Sequence, residues 1–272
     1  MPKRGEESNK STFGRVLNIA GSNNFIGAAC LSSKAALKVG AGYVSLASID
    51  KVVDSVASML PEITYISLKE KNGVIAEFND IINLNSYDVI SIGCGITNTI
   101  ETRKFVSNIL NKIKPTQKII LDADGINILG TLKEYPELNN VIITPHPREL
   151  SRLIGIEVDK IQGNREKYAV QTSLKYGCII VLKGHNSVIT DGNEVYINTT
   201  GTSALAKAGT GDVLTGIIAG LAAQKVSNIN AAILGVFLHG LSGDIASLEL
   251  TKYSVLASDV INFLPYAIKK II

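Results

Sequence analysis

The chain has no unbroken apolar stretch of about eighteen residues or more, and no apolar segment follows the basic residues Lys3, Arg4 and Lys10 near its start. Neither a membrane span nor a signal-peptide core is therefore read from it, and a cytoplasmic protein without membrane contact is expected. It also lacks any run of Lys or Arg interleaved with aromatics. With a net charge of only +3 over 272 residues, nothing points to nucleic acid as a partner. The three cysteines, Cys30, Cys94 and Cys178, lie far apart without zinc-site spacing. They read as reduced, packed thiols, with Cys94 set apart by the glycines on either side. No Ser-His-Asp arrangement, metal-ligand constellation, internal repeat or linker stands out, so residues 1–272 read as a single domain.

What is present is alternation. Short apolar runs at Val16–Ala20, Tyr43–Ala47, Ile63–Leu68, Tyr87–Ile92, Lys118–Leu121 and Val141–Thr144 read as strands. Stretches with helical periodicity fall between them, at Ala28–Val39, Lys51–Leu60, Val74–Leu84 and Ile100–Ile113. A long helix is expected from Lys160 to Lys175. The runs Cys178–Leu182, Asn186–Thr190 and Glu194–Ile197 follow, the last two joined at Asp191-Gly192 as a hairpin at a sheet edge. The remainder reads as helical from Asp212 to about Ile268, and residues 1 to 15 as partly frayed. This is the pattern of an α/β fold with a mainly parallel central sheet and helices on both faces. Ligands then belong at the carboxyl ends of the strands.

The polar residues collect there. The richest stretch is Thr199 to Asp212, a small-residue loop that runs into the apolar helix Val213–Leu221. Gly209 and Gly211 let a ligand approach the backbone, and the first amides of the following helix have no internal partner. Gly209, Thr210 and Gly211 therefore form a candidate phosphate cradle. Asp212 places a carboxylate in the first turn, where the helix field favours its ionised form. A cradle beside a fixed base suits phosphoryl transfer to a hydroxyl. The same residues also fit a plain turn with a capping aspartate.

Other strand ends offer further candidates. Lys183-Gly184-His185-Asn186-Ser187 suits nucleotide phosphates, or is a simple strand end with a turn glycine. Asp122 and Asp124 could hold Mg²⁺ through its waters, or Asp124 could cap the helix at 125–129. His146 sits between two prolines, as a catalyst or as a structural residue. His239, on an apolar helix, reads as a packed side chain hydrogen-bonded inside the bundle. The loop Gly21 to Gly27 lacks Gly-x-Gly-x-x-Gly spacing, and no acidic residue ends the second strand, which argues against a Rossmann dehydrogenase.

Several blocks in order resemble the ADP/ATP-dependent NAD(P)H-hydrate dehydratase family, a branch of the ribokinase-like fold. They include Ala20-Gly21-Ser22 with Gly27-Ala28, Lys38 to Gly42, Leu60-Pro61-Glu62, and Leu121-Asp122-Ala123-Asp124. Thr144 to Leu150, Val181-Leu182-Lys183-Gly184, and Gly209 to Leu214 complete the set. The resemblance implies repair of hydrated nicotinamide cofactor. A nucleotide phosphorylates the hydroxyl of the S form of NADHX or NADPHX, and loss of phosphate restores NAD(P)H. It implies Asp212 as the base, and Ala28, Gly95, His146 and Asp212 around the hydrate. Lys183, Gly184, His185, Asn186, Ser187 and Gly211 would contact ADP or AMP, with ADP (or ATP) as donor and Mg²⁺ as cofactor. It further implies a homotetramer and, with no epimerase domain expected in this chain, a separate epimerase as functional partner. The chain departs from the family pattern at Cys94, where the family has Gly-Pro-Gly, and at Ala29 and Arg148. A ribokinase-like kinase for a vitamin precursor such as hydroxyethylthiazole is the alternative, and a nucleotide-binding protein without turnover is a third reading.

Overall fold

Among the described residues seven short strands run parallel, and all but the edge strand Thr64–Ser67 are buried on both faces, where neighbouring backbone groups must satisfy one another. The computed structural model describes residues 1–77, 82–114, 116–134 and 137–272. In chain order the first elements are β1 (Arg15–Ile19), α1 (Ile26–Lys38), β2 (Tyr43–Ser48), α2 (Asp50–Ala57) and β3 (Thr64–Ser67). A small pair, β4 (Glu70–Lys71) and β5 (Val74–Ile75), comes next. It is followed by β6 (Val89–Ile92), α3 (Ile100–Lys112), β7 (Lys118–Leu121), α4 (Asp124–Leu129) and β8 (Val141–Ile143). Then come α5 (Pro147–Ile154), α6 (Val158–Gly163), α7 (Arg165–Tyr176), β9 (Ile179–Leu182), β10 (Val188–Thr190) and β11 (Val195–Ile197). The helices α8 (Thr210–Ala223), α9 (Asn228–Leu250) and α10 (Ala257–Lys269) end the chain.

The main sheet has nine strands in the order β11-β10-β9-β8-β7-β6-β1-β2-β3. Only β10 and β11 run antiparallel to their neighbours, forming the edge hairpin expected from Asp191-Gly192. The strand order reverses between β1 and β6, which pair directly, with Leu17 opposite Ile90. Just beyond this switch point the Gly21 amide donates to the Cys94 carbonyl at 2.8 Å. A doubly wound sheet opens its ligand crevice at such a point.

Helix α8 is the most interior of the helices: every residue in it is buried except Gly211 and Asp212 at its mouth. It packs on α1 through small residues. A Cβ on Gly216 would stand 2.1 Å from the Ser32 carbonyl oxygen, and one on Gly220 would stand 2.5 Å from that of Ala36. The alanines of α1 thus serve contact with α8. By length and mean hydropathy (1.5) α9 could cross a membrane, but here its small-residue face, including Ala231, Gly235, Gly243 and Ala246, is buried.

Three expectations change. The helix expected over Val74–Leu84 does not begin there, since Val74–Ile75 pairs with Glu70–Lys71 across the turn at Asn72-Gly73. Residues 78–81 of that span lie outside the described residues. The helix expected from Lys160 to Lys175 is two helices, because Asn164 leaves helical geometry and its side chain caps α7 by accepting from the Lys167 amide. Within residues 1 to 15, expected to fray in part, Lys10–Phe13 forms a 3-10 turn capped by Asn9. Phe13 is buried there beneath the Arg4 guanidinium, 3.9 Å from its ring.

Candidate active site

The α8 N-terminus opens onto the carboxyl edge of the sheet. Gly209 caps it with φ +90°, in the left-handed region that glycine adopts without steric cost. Asp212 follows in the first turn. Its carboxylate lies within 4.8 Å of both the Cys94 thiol, after β6, and the Asp122 carboxylate, after β7. Burial first, and then the charge of Asp122, push its pKa from 3.8 up to about 6.

Beneath it is a buried ion-pair network assembled from separate elements. Lys183, at the end of β9, sits 2.6 Å from Asp122 Oδ1 and 3.8 Å from Glu149 Oε2 of α5. The Thr144 hydroxyl donates to Asp122 Oδ1 at 2.7 Å, and the Thr215 hydroxyl to Asp122 Oδ2 at 2.8 Å. Burial opposes the charge on Asp122, but Lys183 and the two hydroxyls outweigh it and its pKa is lowered. Burial likewise opposes the charge on Lys183, yet Asp122 and Glu149 outweigh it and its pKa is raised. The ammonium is therefore not a free clamp reaching for phosphates. It is fixed under the loop, 3.6 Å from where a Cβ on Gly211 would lie.

One cavity of about 410 Å³ takes in every residue expected to contact nucleotide: Lys183, Gly184, His185, Asn186, Ser187 and Gly211. Within it, His185 and Asn186 are exposed. The Ser187 hydroxyl instead closes the loop, donating to the Gly184 carbonyl at 2.9 Å. Arg165 of α7 clasps the same loop from behind, with Nη2 2.9 Å from the Leu182 carbonyl oxygen. Opposite lie Thr200 to Ser203 and His239. As the sequence leads one to expect, His239 is buried and hydrogen-bonded, to the Thr210 backbone; among the described residues its Nε2 has no partner, and burial lowers its pKa to about 4. A larger hollow of about 650 Å³ along β10 and β11 shares only Asn198 with this cavity and contains none of the candidate site residues.

Next in the chain to Cys94, a Cβ on Gly95 would stand 2.6 Å from Phe25 Cβ and 3.0 Å from Ala28 Cβ. Gly95 and Ala28 thus form one wall with an exposed Phe25 at its rim. His146 stands at the end of β8. Its Nδ1 accepts from the Arg148 and Glu149 amides, and Glu149 returns a bond to the His146 amide at 2.8 Å. This reciprocal cap leaves Nε2 to carry the proton, 3.4 Å from Glu149 Oε1. Burial and then Lys183 lower the pKa of the ring, so at neutral pH His146 is an uncharged donor. Arg148 is exposed.

The aspartates expected to share Mg²⁺ do not face one site. Asp122 is committed to Lys183 and the two threonines. Asp124 turns away, accepting from the Thr97 amide at 3.0 Å and the Asn127 amide group at 3.3 Å. It opens α4 as its first residue, with Ala123 at the cap position. Among the described residues the one cluster with metal-ligand spacing is Cys94, Asp122 and Asp212. A buried thiol and a saturated aspartate do not make a hard-cation cage.

Sequence reading misses Thr144, Glu149, Arg165, Thr215 and the cavity face of His239 as contributors. Thr215 carries a signal, as a hydroxyl in an otherwise apolar helix. Arg165 carries none, because its role depends on a loop reached through the fold.

The NAD(P)H-hydrate dehydratase family model matches residues 16–266. An ADP-dependent (S)-NAD(P)H-hydrate dehydratase of Bacillus subtilis is 33% identical, over 99% of this chain and 94% of that protein. A crystal structure of the B. subtilis ADP/ATP-dependent enzyme, co-crystallized with ATP/Mg²⁺, superposes with a TM-score of 0.85 at 32% identity, covering 99% and 94% of the two chains. A bifunctional NAD(P)H-hydrate repair enzyme of Moorella thermoacetica is 37% identical over all of this chain, which spans about half (52%) of that relative's length. With a family match over most of the chain and a neighbour of nearly equal length sharing the fold, the chain belongs to the NAD(P)H-hydrate dehydratase family.

Proposed function

We propose that this protein dehydrates the S form of NADHX and NADPHX at the expense of ADP, releasing NAD(P)H, AMP and phosphate. The observation that carries the reading is the position of Asp212. It follows Gly211, which lines the cavity with Lys183–Ser187, and its carboxylate lies within 4.8 Å of the Cys94 thiol, whose chain neighbour Gly95 packs on Ala28, an arrangement that supports a donor on one side and the hydrate on the other. The hydrate hydroxyl bonds to the terminal phosphorus of the donor while the bond from that phosphorus to the leaving nucleotide breaks. The hydroxyl proton passes to Asp212. Loss of the new phosphate, together with a proton from the adjacent ring carbon, restores the ring double bond.

The α8 amides after Gly209 and the fixed charge of Lys183 hold the migrating phosphoryl group. His146, whose Nε2 faces Glu149 Oε1, offers its half-exposed uncharged ring to the hydrate. Mg²⁺ would be held chiefly by the donor and would neutralise its phosphates, since among the described residues the cluster of Cys94, Asp122 and Asp212 offers a thiol and a committed aspartate rather than a carboxylate cage. The ADP-dependent relatives favour ADP, and the ATP/Mg²⁺ co-crystal makes ATP the donor to test beside it. A separate epimerase would supply the S form from its epimer. A vitamin-precursor kinase is less well supported, since relatives at 33% and 37% identity act in hydrate repair.

The test is incubation with NADHX, Mg²⁺ and either ADP or ATP, following reduced-nicotinamide absorbance and spent nucleotide together. One NADH formed per AMP is expected with ADP. A stable phosphorylated product without NADH would instead mark a kinase.

A further inference from the structure

A large aromatic side chain stands at the small-residue wall. Phe25, the cap residue of α1, is 50% exposed, and its Cβ fills the space that a side chain on Gly95 would need, at 2.6 Å. Its backbone is fixed from two directions. The Phe25 amide donates to the Ser22 carbonyl at 3.0 Å, and the Asn23 amide donates at 2.9 Å to the carbonyl of Gly73, in the turn of the β4–β5 hairpin. Lys71 of that hairpin pairs in turn with Glu101 of α3 at 2.8 Å. Among the described residues no other ring and no cation lies against the Phe25 ring: Phe263 packs with Tyr266, and the cations face Phe13, Tyr43, Tyr168 and Tyr176. A rigidly mounted aromatic face is left open.

Exposed apolar residues are ordinary on a protein surface; Phe25 differs in its place. Phe25 and Ala28 both meet Gly95, and Leu31, about a turn further along α1, brings its Cδ1 within 2.8 Å of where a Cβ on Gly209 would lie. This stretch of α1 therefore connects the cap of α8 with the residue next to Cys94, whose thiol is within 4.8 Å of the Asp212 carboxylate. From this placement we propose that Phe25 is a substrate-binding residue, its ring face stacking on the hydrated nicotinamide ring. Water adds across one double bond of that ring and leaves the other conjugated with the ring nitrogen and the carboxamide. That segment stays flat, as a stacking partner must. The inference rests on the reading of the Asp212 pocket as the site of the hydrate.

The flat segment is common to the hydrate, its phosphorylated form and the restored ring. The stack therefore holds the substrate without favouring the transition state, and it shows in KM and not in kcat. Leucine at position 25 keeps apolar bulk against Gly95 but has no flat face, whereas tyrosine keeps the face. The hydrate of reduced nicotinamide mononucleotide, which lacks the adenosine half, separates stacking on the nicotinamide ring from stacking on adenine.

The experiment measures kcat and KM for NADHX at saturating ADP in wild type, Phe25→Leu and Phe25→Tyr, with thermal melts to confirm folding, and repeats the comparison with the mononucleotide hydrate. Phe25→Leu is expected to raise KM for both hydrates about threefold to tenfold, the scale of one aromatic stack, with kcat and the KM for ADP unchanged. Phe25→Tyr keeps the wild-type values. An unchanged hydrate KM in the folded leucine variant, an equal rise in both variants, or a rise in the KM for ADP instead overturns the proposal. So does an effect confined to NADHX, whether the mononucleotide hydrate fails to bind or binds all three proteins equally, since the ring held would then be adenine. Calorimetric titration with NADHX, without donor, separates the two layers. A wild type that binds NADHX but does not convert it loses the proposed function, while a weaker Kd in Phe25→Leu and not in Phe25→Tyr still supports the stack. A wild type that binds no NADHX loses both.

Discussion

Lys183 Nζ and Asp122 Oδ1 lie 2.6 Å apart, joining the ends of β9 and β7 across the intervening β8. The aspartate is 2% exposed and the lysine 18%, so neither charge is tolerated alone. Removing one partner of a buried pair costs about 3–5 kcal/mol, whereas replacing both by neutral groups of similar size is often close to neutral. Lys183→Ala is therefore expected to lower the urea midpoint of unfolding sharply, and Asp122→Asn/Lys183→Met to recover most of the loss. Both lose turnover, since the charge beneath Gly211 is gone. A single variant as stable as wild type would show that the pair does not hold the strand ends together.

Asp212 couples activity to stability in opposite directions. Its folded pKa of about 6 exceeds the ordinary 3.8, so between these values the native state binds more protons than the unfolded one. Stability contributed by this group is thus intact below about pH 4, declines as pH rises, and is fully lost above about 6. The base works only when ionised, so activity rises through the same window. Asp212→Asn should cut kcat by about 10²- to 10⁴-fold. It should also stabilise the fold at pH 8 by on the order of 1–3 kcal/mol, a gain that vanishes near pH 4. Melting curves at the two pH values, beside turnover at pH 8, check both halves.

The legibility of the sequence follows the range of the interactions. Buried strands such as β1, β6 and β9 announce themselves as short apolar runs because both faces are covered. Gly209 to Asp212 is readable because cradle and acid are contiguous and belong to one helix start. The support of Lys183 is not, since it draws Asp122, Thr144, Glu149 and Thr215 from four places in the chain. Asp124 misleads for a related reason: its neighbour Asp122 turns inward while its own carboxylate meets Thr97, a partner twenty-seven residues away. The Val74–Leu84 span reads as a helix from apolar spacing alone, yet Gly73 and the positive φ of Asn72 make a tight hairpin turn.

Gly211 separates ligand binding from folding. A Cβ there would meet Lys183 Nζ at 3.6 Å and Asp122 Oδ2 at 4.0 Å, ordinary contact distances, in a helical turn without positive φ. Gly211→Ala is therefore expected to fold with an unchanged or slightly higher melting temperature. Its methyl group would occupy the space above the ammonium where a phosphate must approach. The KM for ADP should rise by about tenfold or more, the scale of 1.4 kcal/mol. An unchanged KM would place the phosphate elsewhere.

Gly216 and Gly163 make a matched pair, because alanine favours a helix over glycine by about 0.5–1 kcal/mol when nothing else intervenes. At Gly163, the last residue of α6, nothing lies within 4 Å of the point a methyl group would occupy. Gly163→Ala should then raise the urea midpoint by part of that amount. At Gly216 the same methyl would stand 2.1 Å from the Ser32 carbonyl oxygen and 2.8 Å from Ala35 Cβ. Backbone cannot yield as a flexible side chain can, so α1 and α8 must separate, at a cost of about 3 kcal/mol that reverses the sign. The displacement also reaches the chemistry. Helix α1 carries Ala28 and α8 carries Asp212, so separating them widens the gap the phosphoryl group must cross. Gly216→Ala is expected to lose activity even under conditions where circular dichroism shows it folded. Equal effects at the two glycines would mean that the helices do not pack as closely as their backbones are placed.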